Sequence, residues 1–201
     1  MDLHPFRHIN PGVGGERVKF DTRDIALTAV FSALYVTINV AQMISVGNPT
    51  IFGPIQLRVA DCLIALSALL GLPVIGGVTI GCFLVNSYYF LGFQDVIFGS
   101  IANLIAATII YLLRKRPLMA CVVGALPIGF IVGGYLSIIF NFNPPEVLNA
   151  LPAWTAMIVS ITVSSLFAIA GIGYLLLLTL SRPNIIGPLK SRGLKVVTEE
   201  V

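Results

Sequence analysis

Pro54-Ile55-Gln56-Leu57-Arg58-Val59-Ala60-Asp61-Cys62-Leu63-Ile64-Ala65-Leu66-Ser67-Ala68-Leu69-Leu70-Gly71-Leu72-Pro73 is the stretch on which the topology of this chain turns. Its apolar part, 57–72, opens with Arg58 and Asp61 and ends at Gly71-Leu72-Pro73, a helix-stop pattern. Its length is compatible with a full span, a tilted span or a re-entrant segment. Five longer apolar stretches surround it, at 25–46, 73–91, 96–113, 118–140 and 152–180. At a rise of about 1.5 Å per residue these suit a hydrocarbon core of roughly 30 Å.

Composition agrees. Hydrophobic residues make up 57% of the chain and charged residues only 10%, with a mean hydropathy of +0.95, which excludes a soluble domain. Of the 12 Lys and Arg residues, all but Arg58 fall in three groups. These are Arg7, Arg17, Lys19 and Arg23; Arg114, Lys115 and Arg116; and Arg182, Lys190, Arg192 and Lys195. If the short stretch crosses, six spans place all three groups on one side, as the positive-inside rule requires, whereas five spans would separate the two basic ends. The expectation is an all-α integral membrane protein, a six-transmembrane-helix bundle in the cell membrane. Residues 1–24 and 182–201 are then cytoplasmic tails and 25–181 the membrane domain. The net charge of +3 is a property of those cytoplasmic residues and implies no nucleic acid.

This orientation gives the intramembrane polar residues a common depth in the outer half. Asn39 and Gln42 lie late in the first span, and Gln56, Arg58 and Asp61 open the second. Asn86 ends the third, while Asp95 and Asn103 lie in the fourth. Asn141, Asn143, Glu146 and Asn149 fall in the following outer loop, and Trp154 starts the last span. An ionised side chain at mid-membrane costs about 2.5 to 3.5 kcal/mol on insertion scales, so Asp61 needs a partner or a wet cavity. Arg58, three residues away, offers a structural ion pair on one helix face. Asn86 and Asn103 offer interhelical hydrogen bonds, and Trp154 an interfacial anchor. Together they describe a pocket for a planar, hydrogen-bonding, partly cationic ligand, with Tyr88, Tyr89 or Trp154 available for stacking. On the inner half, Ala29 and Ala33, flanked by Ala26 and Ser32, form a small-residue face that packs within the bundle or docks another membrane protein.

Other chemistries lack their residues. There is no GxxxxGK[ST] loop, so this chain cannot hydrolyse ATP alone and any energy must come from elsewhere. Cys62, Cys82 and Cys121 are dispersed in apolar runs and read as small buried hydrophobes rather than metal ligands. The His4 and His8 pair lies in a Gly- and Pro-containing tail. Neither a catalytic centre nor a cofactor nor a metal is expected.

Gly53-Pro54-Ile55-Gln56-Leu57-Arg58 followed by Asp61, Gly81-Cys82-Phe83-Leu84-Val85-Asn86, and the DVIFGSIANLIAA run from Asp95 to Ala107 resemble the QueT family. Members are queuosine-precursor substrate-binding (S) components of energy-coupling factor (ECF) transporters. The similarity covers roughly 25–180. Leu57 replaces a usual aromatic, Asp61 a commoner Glu, and Asn103 a frequent Thr, departures that bear on substrate preference. The resemblance implies six helices, an outward-facing site for a 7-deazaguanine, and partners: a transmembrane T component and an ATP-binding cassette ATPase pair. It also implies that Ala29 and Ala33 match the AxxxA face that docks the T component. Asp61 or Asp95 would take one acidic role and Glu146 or the other Asp the second; Arg58 would bond the ring carbonyl or hold Asp61. The competing reading is a stand-alone facilitator or proton-coupled secondary transporter using the same pocket.

Overall fold

Asp21 starts the first helix by a capping box. Its carboxylate accepts the Arg23 backbone N–H at 2.5 Å, while Asp24 accepts the Asp21 N–H at 3.0 Å. The computed structural model describes residues 21–47, 56–139, 152–191 and 193–197. Helix α1 spans Thr22–Val46 and is followed by a 3₁₀ helix, Val59–Leu66, that runs directly into α2, Ser67–Leu70. Gly71 then turns the chain at a φ of 68°, a left-handed value that suits glycine. Pro73, just inside the next helix, sits where its missing N–H is harmless. Helices α3 (Leu72–Tyr88), α4 (Phe93–Leu112) and α5 (Pro117–Ile139) follow. The final long helix is α6 (Ala153–Ser165), a π-helical stretch (Leu166–Gly173) and α7 (Tyr174–Leu180), after which α8 covers Pro183–Ser191.

Four helices are long and apolar enough to cross a membrane: Thr22–Val46, Phe93–Leu112, Pro117–Ile139 and the composite Ala153–Leu180. Of the six spans expected from sequence, four are matched by these helices. The other two apolar helices, Val59–Leu70 and Leu72–Tyr88, are shorter. At about 2.0 Å per 3₁₀ residue and 1.5 Å per α residue, the first reaches roughly 22 Å and the second roughly 25 Å. The first can be short because it touches little but protein: Ala60 through Leu70 are all buried. Around it the long helices turn large apolar residues outward, Ile44 and Ile138 among the most exposed, as a lipid-facing surface requires.

Close packing comes from glycines. A Cβ on Gly77 would lie 2.5 Å from that of Phe31, and one on Gly81 would lie 2.7 Å from that of Tyr35. The GxxxG face of α3 therefore clasps α1 nearly backbone to backbone. Both sequences advance together along this contact, so α1 and α3 are parallel and the 56–70 segment returns between them. Ala29 and Ala33, by contrast, are exposed on the outer side of α1. Between the two placements left open by sequence, the alanines face away from the bundle.

The chain's described ends meet at one end of the bundle. Lys195 Nζ lies 2.8 Å from Asp24 and 3.2 Å from Asp21, Arg23 donates to the Gly193 carbonyl, and the Val197 N–H bonds Leu69 C=O at 2.9 Å. Hydrogen bonding to Asp24 and then Asp21 holds the Lys195 ammonium above its ordinary range. The Arg23 N–H and then Lys195 hold Asp21 below the usual carboxylate range. Within 182–201, Pro183–Ser191 form a helix and Leu194 and Val196 pack on the core. Arg114 belongs to the same end: it stacks 4.7 Å from the ring centre of Tyr111, whose edge lies beside Gly71.

Gly77→Leu is expected to destabilise the protein by about 1 to 3 kcal/mol through overpacking. Ala33→Leu, on the exposed face, should leave the melting temperature in detergent nearly unchanged. Equal melting of the two variants would contradict this assignment of faces.

Candidate functional site

Away from the basic end, the interior of the bundle becomes polar at one level. Five elements contribute: Tyr35, Asn39 and Gln42 on α1, Arg58 and Asp61 at the 3₁₀ helix, Cys82 and Asn86 on α3, Asp95 and Asn103 on α4, Tyr135 on α5. All but Gln42 are buried. Two tyrosine–carboxylate pairs organise the level. Tyr35 donates to Asp61 Oδ1 at 2.6 Å and itself accepts from Asn103 Nδ2 at 3.0 Å. Tyr135 donates to Asp95 Oδ1, also at 2.6 Å. Such short O–H···O⁻ bonds are the strong, charge-assisted kind.

Arg58 lies against the second pair. Its Nη2 lies 3.9 Å from Asp95 Oδ1, and its Nη1 donates to the Cys82 sulfur at 3.8 Å. Asn86 donates to the same sulfur at 3.7 Å and to the Asp95 carbonyl at 2.9 Å, which ties the end of α3 to the start of α4. The ion pair suggested by the Arg58/Asp61 spacing is therefore replaced by one with Asp95. The reason is local: Arg58 precedes the helix, with an extended backbone (φ −82°, ψ 99°), so the helical i,i+3 geometry does not apply. Cys82 departs from the expectation for the cysteines too, since its sulfur is a hydrogen-bond acceptor; Cys62 and Cys121 are buried thiols as expected.

A small cavity opens beside this level. Its polar wall is Gln56, Arg58, Asp61, Asn103, Ser164 and Ser165; its apolar wall is Ile128, Val132 and Ile161. The volume is about 10 Å3, room for about one water molecule. Asp61 thus faces the cavity, whereas Asp95 and Asn86 lie behind Arg58. Among the described residues, Asp95 Oδ2, Asn86 Oδ1 and Gln56 Nε2 are buried with no hydrogen-bond partner. Such groups are expensive unless something else satisfies them. No group of three or more metal-binding side chains occurs among the described residues.

Of the residues singled out by sequence, Gln56, Arg58, Asp61 and Asn103 line one cavity, and Asn86 and Asp95 support it. Trp154, at the head of α6, is 59% exposed and is not on the cavity wall. Glu146 lies outside the described residues. Tyr35, Tyr135, Ser164 and Ser165 escaped the sequence reading. Tyr35 carried a signal, because a tyrosine in mid-span cannot be an interfacial anchor and its hydroxyl needs a partner. The serines carried none, since hydroxyls in spans usually bond their own helix, as Ser164 does to Ser160 at 3.0 Å.

An all-helical membrane protein with a charged, polar-walled cavity inside its bundle has the construction of a transporter. The family model described as QueT transporter matches residues 25–182. The chain belongs to the QueT transporter family, a family of transporters rather than enzymes. No curated protein and no solved structure matches it.

Tyr35→Phe and Tyr135→Phe each remove the donor from a buried carboxylate. Each is expected to lower stability by about 1 to 3 kcal/mol, read from unfolding in detergent. A wild-type midpoint for either variant would detach that tyrosine from its Asp.

Proposed function

We propose that this chain is the substrate-binding S component of an ECF-type importer, taking up a queuosine precursor of the 7-deazaguanine class. The supporting observation is the division of labour between the two buried carboxylates. Asp95 sits behind Arg58 as its counter-charge, while Asp61 faces the cavity with one oxygen already held by Tyr35. In this reading Asp61 accepts the paired ring N–H and exocyclic amine of a guanine-like edge, a two-point bond that suits a carboxylate. Arg58 meets the ring carbonyl, and Gln56 and Asn103 bond the remaining ring atoms. Glu146 is the candidate acid for an aminomethyl group. A purine-sized ligand exceeds the room for one water, so binding requires the walls formed by Ile128, Val132 and Ile161 to separate.

Six spans with both termini cytoplasmic are part of the proposal. They are supported by Arg23, Arg114 and Lys195 sharing one end of the bundle, under the positive-inside rule. The partners proposed are a T component, docking on the outward Ala29 and Ala33 face, and an ATP-binding cassette ATPase pair. Small residues on an exposed helix face let a second membrane helix approach closely.

Calorimetry of the purified protein against 7-aminomethyl-7-deazaguanine tests the ligand. Asp61→Asn is expected to weaken binding by about 1.5 to 3 kcal/mol, as for loss of a charge-assisted bond. An unchanged dissociation constant would remove Asp61 from the site. In liposomes containing the T component and ATPases, Ala29→Leu should bind ligand normally and fail to transport it. Uptake by the chain alone would favour a facilitator or secondary transporter instead.

A further inference from the structure

We infer that Gln42 is a positioning residue that aims Arg58 into the binding cavity; its ligand readout rests on the proposed function, whereas its structural readout does not. Arg58 ends the short non-helical piece 56–58 and caps the 3₁₀ helix, its carbonyl accepting the Asp61 N–H at 3.1 Å. The direction of its side chain is set by the two peptide planes that flank its Cα. The Gln42 amide bonds both from α1. Its Nε2 donates to the Leu57 carbonyl at 2.5 Å and its Oε1 accepts the Val59 N–H at 3.0 Å. Those two groups belong to the peptide units on either side of the Arg58 Cα. Holding both planes fixes φ and ψ of Arg58 together, and with them the direction of its Cβ.

The arrangement imitates what a neighbouring strand supplies, a pair of backbone bonds flanking one residue. Here a single side chain supplies it inside a helical bundle. The partners also settle the orientation of the amide, since the N–H must meet an oxygen and the C=O must meet a nitrogen. Val59 N–H opens the 3₁₀ helix, where the first N–H groups have no partner within the helix. Gln42 is itself fixed on a helix whose buried face is locked nearby by Tyr35 on Asp61 and Asn39 on the Tyr35 carbonyl. The guanidinium so aimed reaches Cys82 and Asp95 at one side and the cavity at the other. A merely structural glutamine would stabilise the helix start without affecting what Arg58 does.

The test uses the full-length protein with ¹⁵N-labelled arginine. The Arg58 Nε–H signal is assigned by its loss in Arg58→Lys, and its exchange with water is followed without ligand. Gln42→Ala is expected to speed that exchange about tenfold, since local opening sets the rate. Binding of 7-aminomethyl-7-deazaguanine should weaken about tenfold in Gln42→Ala, which corresponds to about 1.4 kcal/mol. That loss should vanish when the change is made in an Arg58→Ala background, because the two residues act through one contact. Additive losses, or an unchanged Arg58 exchange rate, would overturn the inference. If the wild-type protein does not bind the probe, the substrate reading fails while the exchange measurement still decides the role of Gln42. Should Gln42→Ala fold poorly, Gln42→Met keeps the length without the hydrogen bonds and gives the same two readouts.

Discussion

A guanidinium buried in a bundle of apolar helices is the constraint around which this molecule is arranged. Removing a charge from water is costly by several kcal/mol even after relaxation, and the penalty is recovered only where partners are well placed. Arg58 meets it with groups from several elements: the carboxylate of Asp95, fixed in turn by Tyr135, and the sulfur of Cys82, steadied by Asn86. Together these draw α3, α4 and α5 to the same level. The polar interior therefore specifies how the helices are registered along one another, a task that apolar packing in lipid performs poorly because lipid and side chains are alike in polarity.

The unusual helices belong to the same arrangement. A 3₁₀ run of eight residues is long for its kind, and it is packed against an equally long π-helical stretch. The contact is made at Gly173, where a Cβ would come within 2.7 Å of the Cys62 carbonyl and 2.9 Å of the Ala65 side chain. The tight helix is narrow and the π helix is wide, so the pair fits only where a glycine removes the side chain between them. Ser164 and Ser165 sit just before the π stretch and contribute to the cavity wall, so the distortion borders the site.

Much of this was legible in the residues. Hydropathy revealed the long helices, and Gly71-Leu72-Pro73 marked the stop that the structure shows at Gly71. Depth alone grouped Gln56, Arg58, Asp61 and Asn103. The partner of Arg58 was not legible, because helical spacing pointed to Asp61 while the backbone at Arg58 is extended. The close-packed face was missed for a related reason: Ala29/Ala33 and Gly77/Gly81 both satisfy the small-residue pattern, and only packing shows which of them is covered. The π stretch had no signature, since Leu166–Gly173 is uniformly apolar or small and reads as ordinary span.

Helix α1 joins two surfaces that would otherwise have no mechanical relation. Toward the interior it presents Tyr35 to Asp61 and Gln42 to the peptides around Arg58. Away from it lie Ala29 and Ala33, between about half a turn and about three and a half turns along the same rod. A continuous helix is stiff over this distance. Any roll or slide imposed at the cavity is therefore delivered to the lipid-facing side as the motion of a lever, with no loop in between to absorb it.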